Sequence, residues 1–158
     1  MDRIGFAKDI HKMVVGRPLI LGGIHIPFEK GLLGHSDADV ILHALTEAIL
    51  GALALGDLGK HFPDTDAAYK DIDSSLLVKK AVTLMKNEGY AVGNADISLV
   101  LEKPRVAPYI EKMRSHIALL LEVPMSSVSV KAGTNEGLGE IGRGKAAEAS
   151  AIVLLRKV

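Results

Sequence analysis

Gly34-His35-Ser36-Asp37-Ala38-Asp39-Val40-Ile41-Leu42-His43-Ala44-Leu45 sets two of the chain's six histidines, two aspartates and a serine against a strongly apolar run. Ser36 and Asp39 have the S-x-x-[DE] spacing of a capping box. That spacing predicts a helix from near Asp37 to about Leu53. Ser36, Asp39 and His43 then share one stripe, continued by Glu47. Val40, Ile41, Ala44, Leu45, Ala48 and Ile49 form an apolar stripe suited to a core. The free N–H groups and positive dipole at such a helix start suit an anion.

Outward from this helix the chain reads as alternating elements. Arg3–Phe6 begins a strand, and if it continues, Asp9 and His11 share a face. Pro18–Leu21 and Ile24–Pro27 form a hairpin about Gly22-Gly23. Residues 56–66 are a polar loop punctuated by glycine and proline. Asp73 and Ser74 cap a second helix that ends at Gly89. Ala95–Leu101 is a strand, Ala107–Leu121 a helix, Val128–Ala132 a short strand and Ala149–Leu155 a final apolar strand. Gly133–Gly144 is a glycine-rich loop whose backbone can approach a ligand closely. The order predicts an α+β fold in a single domain, residues 1–158: a mixed sheet packed on one layer of helices, with hairpins at both ends.

Composition narrows the function. With 158 residues, 48% of them hydrophobic, one aliphatic core is expected. Lys+Arg and Asp+Glu both total 19, which argues against a broad nucleic-acid surface. There are no cysteines, so a transition metal must use His, Asp and Glu. The start of the chain lacks the apolar core of a secretory signal, and no run is apolar enough to span a bilayer. A reducing compartment is expected.

Asp9-x-His11 with a distant His43 is a candidate three-ligand metal site, leaving a fourth position open. The same D-x-H fits surface residues on a strand, and His43 fits a solvent-facing helix position. Asp39 or Glu47 could orient a liganded ring from one turn away. His35-Ser36 reads as a phosphate site or an ordinary cap. Asp57, Asp64 and Asp66 read as ligands for sugar hydroxyls or as turn aspartates. Thr134, Asn135, Glu136 and Arg143 follow a strand within the glycine-rich loop, but Lys131 precedes the glycines, so this is not a P-loop.

Taken together, Arg3-Ile4-Gly5…Asp9-Ile10-His11, Gly31-Leu32-Leu33-Gly34-His35-Ser36-Asp37-Ala38-Asp39-Val40…His43-Ala44, Gly56-Asp57-Leu58-Gly59…Phe62-Pro63-Asp64-Thr65-Asp66 and Val130-Lys131-Ala132…Thr134…Glu136-Gly137-Leu138-Gly139…Gly142-Arg143-Gly144 occur in order. In this the chain closely resembles the 2-C-methyl-D-erythritol 2,4-cyclodiphosphate synthase family over essentially its whole length. The resemblance implies a homotrimer with active sites between subunits. It implies a metal-dependent lyase of isoprenoid biosynthesis that cyclises 4-diphosphocytidyl-2-C-methyl-D-erythritol 2-phosphate and releases CMP.

By the same resemblance, Asp9, His11 and His43 match the ligands of one zinc ion per subunit. Glu136 matches a ligand of a second divalent ion, magnesium or manganese. His35 and Thr134 match the transition-state stabilisers. Asp57, Gly59, Asp64 and Asp66, with Phe62 beside them, match the loop around the ribose and erythritol hydroxyls. Leu101 to Ala107, including Lys103 and Arg105, match the cytidine pocket. Ser36, Gly133, Asn135 and Glu140 match further substrate-contacting positions, and Arg143 an arginine near the trimer axis. The location implied is a bacterial cytoplasm or a plastid stroma.

The chain departs from the family pattern at a few positions. Ala7-Lys8 replaces Gly-aromatic, Gly133 and Asn135 replace threonines, and Glu140 replaces an aromatic residue. Lys145 stands where Glu is common and Ser150 where larger polar residues are. Lys8, Glu140, Lys145 and Ser150 fall around the family's central channel. None of these changes removes a matched metal ligand. Retention of the whole set favours a cyclase over two other readings: a nucleotide- or isoprenoid-diphosphate-binding protein without turnover, and a zinc phosphodiesterase using water.

Overall fold

The first strand, β1, runs from Arg3 to Val15 in the computed structural model, which describes residues 1–158. Its inward row is Gly5, Ala7, Asp9, His11 and Met13, and its outward row is Ile4, Phe6, Lys8, Ile10 and Lys12. Short strands follow: β2 (Leu19–Leu21), β3 (Ile24–Ile26) and β4 (Lys30–Leu32). Helices α1 (Val40–Ala52), α2 (Leu58–His61) and α3 (Ser74–Asn87) come next. Then come β5 (Tyr90–Val100), α4 (Ile110–Leu121), β6 (Val128–Gly133), α5 (Gly139–Gly142) and β7 (Ala146–Lys157).

The main sheet has the order β4-β1-β7-β5-β6, and β2-β3 is a separate hairpin. Only β5-β6 is parallel; β1-β4, β1-β7 and β5-β7 are antiparallel, so the sheet is mixed. One face is covered by helices. On β7 that face consists of Ala147, Ala149, Ala151 and Val153, all fully buried. These short side chains let α1 lie close on β1 and β7. At Gly5 the approach is closest: a Cβ there would sit 1.8 Å from the backbone oxygen of Ala48. Glycine at this position fixes how near α1 comes to β1.

Helix α1 is buried on nearly all sides, including Leu42, His43, Thr46 and Leu50 outside the expected apolar stripe. It lies between the sheet and α3. Burial of a full leucine side chain is worth roughly 1.5–3 kcal/mol, so α1 is a major part of the core. The opposite face of the sheet stays open. There Ile4, Phe6 and Ile10 of β1 are 73%, 61% and 52% exposed, and Ile152 of β7 is 49% exposed. Phe6 pairs across strands with Ile152, and Ile4 with Leu154.

The structure alters the sequence reading in several places. Helix α1 starts at Val40, not Asp37, because Ala38 takes a left-handed φ of 60° that no helix can pass through. Its cap is Asp39 rather than Ser36, accepting from Leu42 N at 3.1 Å. Asp39 is fully buried and also accepts from Gly22 N and Gly23 N. The helix start is therefore occupied by its own carboxylate and is not open to an anion. Burial pushes the Asp39 carboxyl up to about 6, against the lowering effect of its three backbone donors.

The C-terminal hairpin is absent. β7 inserts between β1 and β5, where its small inward residues fit beneath α1, and β6 takes the edge. The strands β1, β5 and β7 extend well beyond the segments that alternation marks, and β4 adds an edge strand. The two glycine-punctuated loops hold short helices, α2 and α5. The Gly22-Gly23 hairpin and the Asp73 cap of α3 match expectation. No helix is long and apolar enough to cross a membrane.

Candidate metal centre and substrate clefts

Strand alternation puts Asp9 and His11 on the helix-facing side of β1, and the Gly5 contact brings α1 against them. Asp9 Oδ2 lies 2.9 Å from His11 Nε2 and 3.1 Å from His43 Nδ1. The two ring nitrogens are 3.1 Å apart. Tetrahedral ligands at about 2.0–2.1 Å from zinc are about 3.3 Å from one another, so this triangle needs to open by only a few tenths of an ångström. Asp9, His11 and His43 thus fit a divalent cation.

Partners on the far side of each ring support that fit. The His11 Nδ1 is 2.9 Å from the carbonyl oxygen of Leu33. A carbonyl only accepts, so Nδ1 carries a hydrogen and Nε2 turns toward Asp9 and His43. Burial opposes ionisation of Asp9, but the imidazoles of His11 and His43 outweigh it and hold the carboxyl well below the usual range. Burial also lowers His11, yet the Asp9 carboxylate outweighs it and raises the imidazole above its ordinary value. Without a metal, the Asp9 carboxylate therefore favours a proton on His11. Asp39 and Glu47 do not orient the rings: Asp39 caps the helix, and Glu47 accepts from Leu58 N at 3.0 Å. Ser36 and Ser74 hold His43 instead, at 2.9 and 3.0 Å from Nε2.

The triad opens into a cleft of about 470 Å³ lined also by His35, Ser36, Gly59, Phe62 and Asp64. His35 donates from Nε2 to the Asp66 carbonyl at 2.9 Å, which ties the ring to the 57–66 segment. Asp57 and Asp66 lie outside the cleft lining; their carboxylates cap α2 and the turn Ala67–Tyr69. Phe62 packs edge-on against Tyr69.

A second cleft, about 240 Å³, is lined by Leu101, Glu102, Pro104, Arg105, Val106, Ala107, Ile110, Ala132, Gly133 and Thr134. Lys103 and Arg143 line a neighbouring depression instead. The two main clefts share no lining residue. One chain therefore does not bring His35 and Thr134 into a common pocket. Glu136 joins no cluster of metal-ligating groups. It stands in a left-handed turn at φ 55°, between two backbone N–H groups, Asn135 and Gly137, that donate to Glu102. Glu140 pairs with Arg143 and Lys145.

Residues to which the motif reading gave no role at the site are Ser74, Asp37 and Leu33 through its carbonyl. Ser74 carried a signal as the start of a capped helix, but only the fold brings it beneath His43. Glu102 fell within the 101–107 segment matched to the cytidine pocket, but its bonds to Asn135 N and Gly137 N carried no sequence signal.

The YgbB family model matches residues 2–156. The chain is 58% identical over 156 residues to the 2-C-methyl-D-erythritol 2,4-cyclodiphosphate synthase of Chloroherpeton thalassium, covering 99% of each. The chain belongs to the YgbB family of 2-C-methyl-D-erythritol 2,4-cyclodiphosphate synthases. The synthase of Shouchella clausii is 57% identical, again over 99% of each chain. Among solved structures, one 2-C-methyl-D-erythritol 2,4-cyclodiphosphate synthase superposes with a TM-score of 0.91 at 37% identity, over 98% of this chain and 100% of that one. IspF of Plasmodium falciparum, in complex with CDP, gives 0.88 at 35% identity, over 99% and 96%. The bifunctional IspDF of Campylobacter jejuni gives 0.96 at 37% identity; this chain is covered fully but spans only 43% of that protein.

Proposed function

We propose that this cyclodiphosphate synthase family member converts 4-diphosphocytidyl-2-C-methyl-D-erythritol 2-phosphate to 2-C-methyl-D-erythritol 2,4-cyclodiphosphate and CMP, as a lyase of isoprenoid precursor synthesis. The observation that carries the reading is the Asp9–His11–His43 triangle at the floor of a cleft, on a chain 58% identical to a synthase of that name. The whole chain, 1–158, serves as one catalytic domain.

In this reaction the nucleophile is the substrate's own 2-phosphate, largely ionised near neutral pH because its second pKa is about 6. An oxygen of that phosphate forms a bond to the β-phosphorus. The bond from that phosphorus to the bridging oxygen breaks, and CMP leaves with the bridging oxygen. No protein base is needed. The difficulty is anion meeting anion, and the closing of an eight-membered ring.

Asp9, His11 and His43 would hold zinc, and Glu136 would bind a second cation, magnesium or manganese. These cations supply charge neutralisation at the diphosphate when bound. His35 and Ser36 in the metal cleft, and Thr134 from the second cleft of a neighbouring subunit, would meet phosphate oxygens on this reading. Gly59 and Asp64 would hold the erythritol and ribose hydroxyls, with Asp57 and Asp66 capping the short helix and turn that carry this segment. The cleft from Leu101 to Ala107 holds cytosine, with its walls of Leu101, Val106 and Ala107. Holding both ends of the substrate converts ring closure into an oriented intramolecular step.

The two clefts share no lining residue, and the sheet face opposite the helices exposes Ile4, Phe6, Ile10 and Ile152. Both features support a homotrimer in which one subunit's metal cleft meets a neighbour's cytidine cleft. The test is to incubate the purified protein with the substrate, zinc and magnesium and follow phosphorus NMR. Cyclic diphosphate and CMP are expected. A linear hydrolysis product would indicate a diesterase, no turnover a binding protein, and either overturns the proposal.

A further inference from the structure

Behind the metal triad lies a chain of hydrogen bonds that the proposed chemistry leaves unused. Asp37 sits just ahead of α1 and reaches the first turn of α3. Its Oδ2 accepts from Ser74 N at 3.0 Å, and its Oδ1 accepts from the Ser74 hydroxyl and from Asp39 N at 3.1 Å. Ser74 is fully buried, and its Oγ is also 3.0 Å from His43 Nε2.

A carboxylate accepts and never donates, so the single hydroxyl hydrogen of Ser74 is committed to Asp37. Toward His43, Ser74 can offer only a lone pair. An unprotonated Nε2 would set two lone pairs 3.0 Å apart in a dry site, whereas a hydrogen there serves Ser74, and the Ser36 hydroxyl 2.9 Å away can accept it as well. The hydrogen of the neutral imidazole therefore belongs on Nε2, and the lone pair of Nδ1 faces Asp9 and His11.

We infer that Asp37 and Ser74 are positioning residues that set the His43 tautomer and so present Nδ1 to the metal. The inference rests on the metal reading above and extends it to two residues outside the triad, one of which touches His43. His11 reaches the same result by the opposite route, since Leu33 O takes its Nδ1 hydrogen and frees Nε2. The two rings thus bind through different nitrogens, each fixed by an acceptor on its far side. In metal-free protein the Nε2 hydrogen of a protonated His11 lies between Asp9 Oδ2 at 2.9 Å and the Nδ1 lone pair of His43 at 3.1 Å, and a cation would take that hydrogen's place.

Asp37→Asn tests the relay with almost no change of shape. An amide has one oxygen and one NH₂. If the oxygen serves the Ser74 hydroxyl, the NH₂ confronts Ser74 N–H. If it serves Ser74 N–H, the NH₂ confronts the hydroxyl, which then turns its hydrogen to His43 Nε2 and drives the ring to the other tautomer.

Two readouts are needed. The first is nitrogen-15 NMR of the metal-free wild-type protein near neutral pH, labelled in histidine. His43 is expected protonated at Nε2 and bare at Nδ1; protonation at Nδ1 overturns the inference. The second is zinc affinity by chelator competition, with circular dichroism to check folding. Asp37→Asn is expected to bind zinc about 10–100-fold more weakly, the usual cost of losing such a partner. A folded Asp37→Asn with wild-type zinc affinity and an unchanged His43 tautomer overturns it. If the wild-type protein binds no zinc, the metal reading falls, while the metal-free NMR result still judges the relay alone.

Discussion

Gly5→Ala puts the link between fold and site under direct strain. The new Cβ would lie 1.8 Å from Ala48 O, where ordinary contact begins at 3.4 Å, so strand and helix must part by about 1.6 Å. The nearest atoms are backbone of α1, and no flexible side chain can swing away. Overpacking of this kind costs about 1–3 kcal/mol or more, and the top of that range applies because a helix backbone must move. For a chain of this size about 3 kcal/mol lowers Tm by roughly 6–12 °C. The same displacement separates His43 on α1 from Asp9 and His11 on β1. Metal sites tolerate departures of about 0.2 Å in bond length, so zinc affinity should fall by at least about 100-fold, near 2.7 kcal/mol. Calorimetry of the metal-free protein and chelator competition measure the two effects separately. A Gly5→Ala protein that melts within about 2 °C of wild type and keeps its zinc affinity would refute the claim that this contact positions the site.

His43→Ala should leave the chain folded, since the α1 core remains, but should empty the zinc site and lower turnover at least about 1,000-fold, about 4 kcal/mol; full zinc by metal analysis contradicts the ligand assignment. In metal-free protein, His11 is raised from an ordinary 6.5, so its contribution to stability is complete below 6.5 and is lost as pH rises through the raised value. Asp9 is lowered from 3.8, so its contribution is present above 3.8 and is lost as pH falls through the lowered value. Metal-free protein should therefore hold this pair's stabilisation between 3.8 and 6.5 and lose part of it toward alkaline pH, whereas zinc affinity should rise over that alkaline limb as the His11 proton departs; a flat Tm profile in His11-intact, metal-free protein counts against the ion pair. Phe6→Asp places a charge in the open apolar patch, where Phe6 is 61% exposed beside Ile152. Sedimentation should show a wild-type trimer and a mostly monomeric variant with little turnover; a trimeric Phe6→Asp protein would contradict use of this face as the interface.

Part of the candidate metal triad was legible from spacing, and the full set came from the resemblance. Asp9 and His11 are two apart on a strand, so alternation alone places them on one face. His43 joined them only as one of several polar residues on a presumed solvent stripe. Its burial depends on α3 packing over α1, which no local pattern reveals. The misplaced start of α1 has a comparable cause. Ser36 and Asp39 match a capping box, but the left-handed Ala38 and the pull of Gly22 and Gly23 on Asp39 are decided by tertiary contact. The position of β7 at the centre of the sheet was not readable from its alternation. The run of alanines at 147, 149 and 151 makes sense only once α1 is known to lie across it. The short helix in the 56–66 segment is set by its Asp57 cap, and the one in the 133–144 segment has no side-chain cap; in both, glycine, joined by proline in the first, suggested only a loop. Homotrimer, cytidine pocket and second cation came from resemblance and not from any periodicity.

The most direct measurement is anomalous X-ray diffraction at the zinc edge from crystals grown with zinc. One strong peak per chain is expected at about 2.0–2.1 Å from Asp9 Oδ2, His11 Nε2 and His43 Nδ1, with a fourth position facing the cleft. Those three side chains fully ordered around no peak, or zinc bound at other residues, would contradict the account.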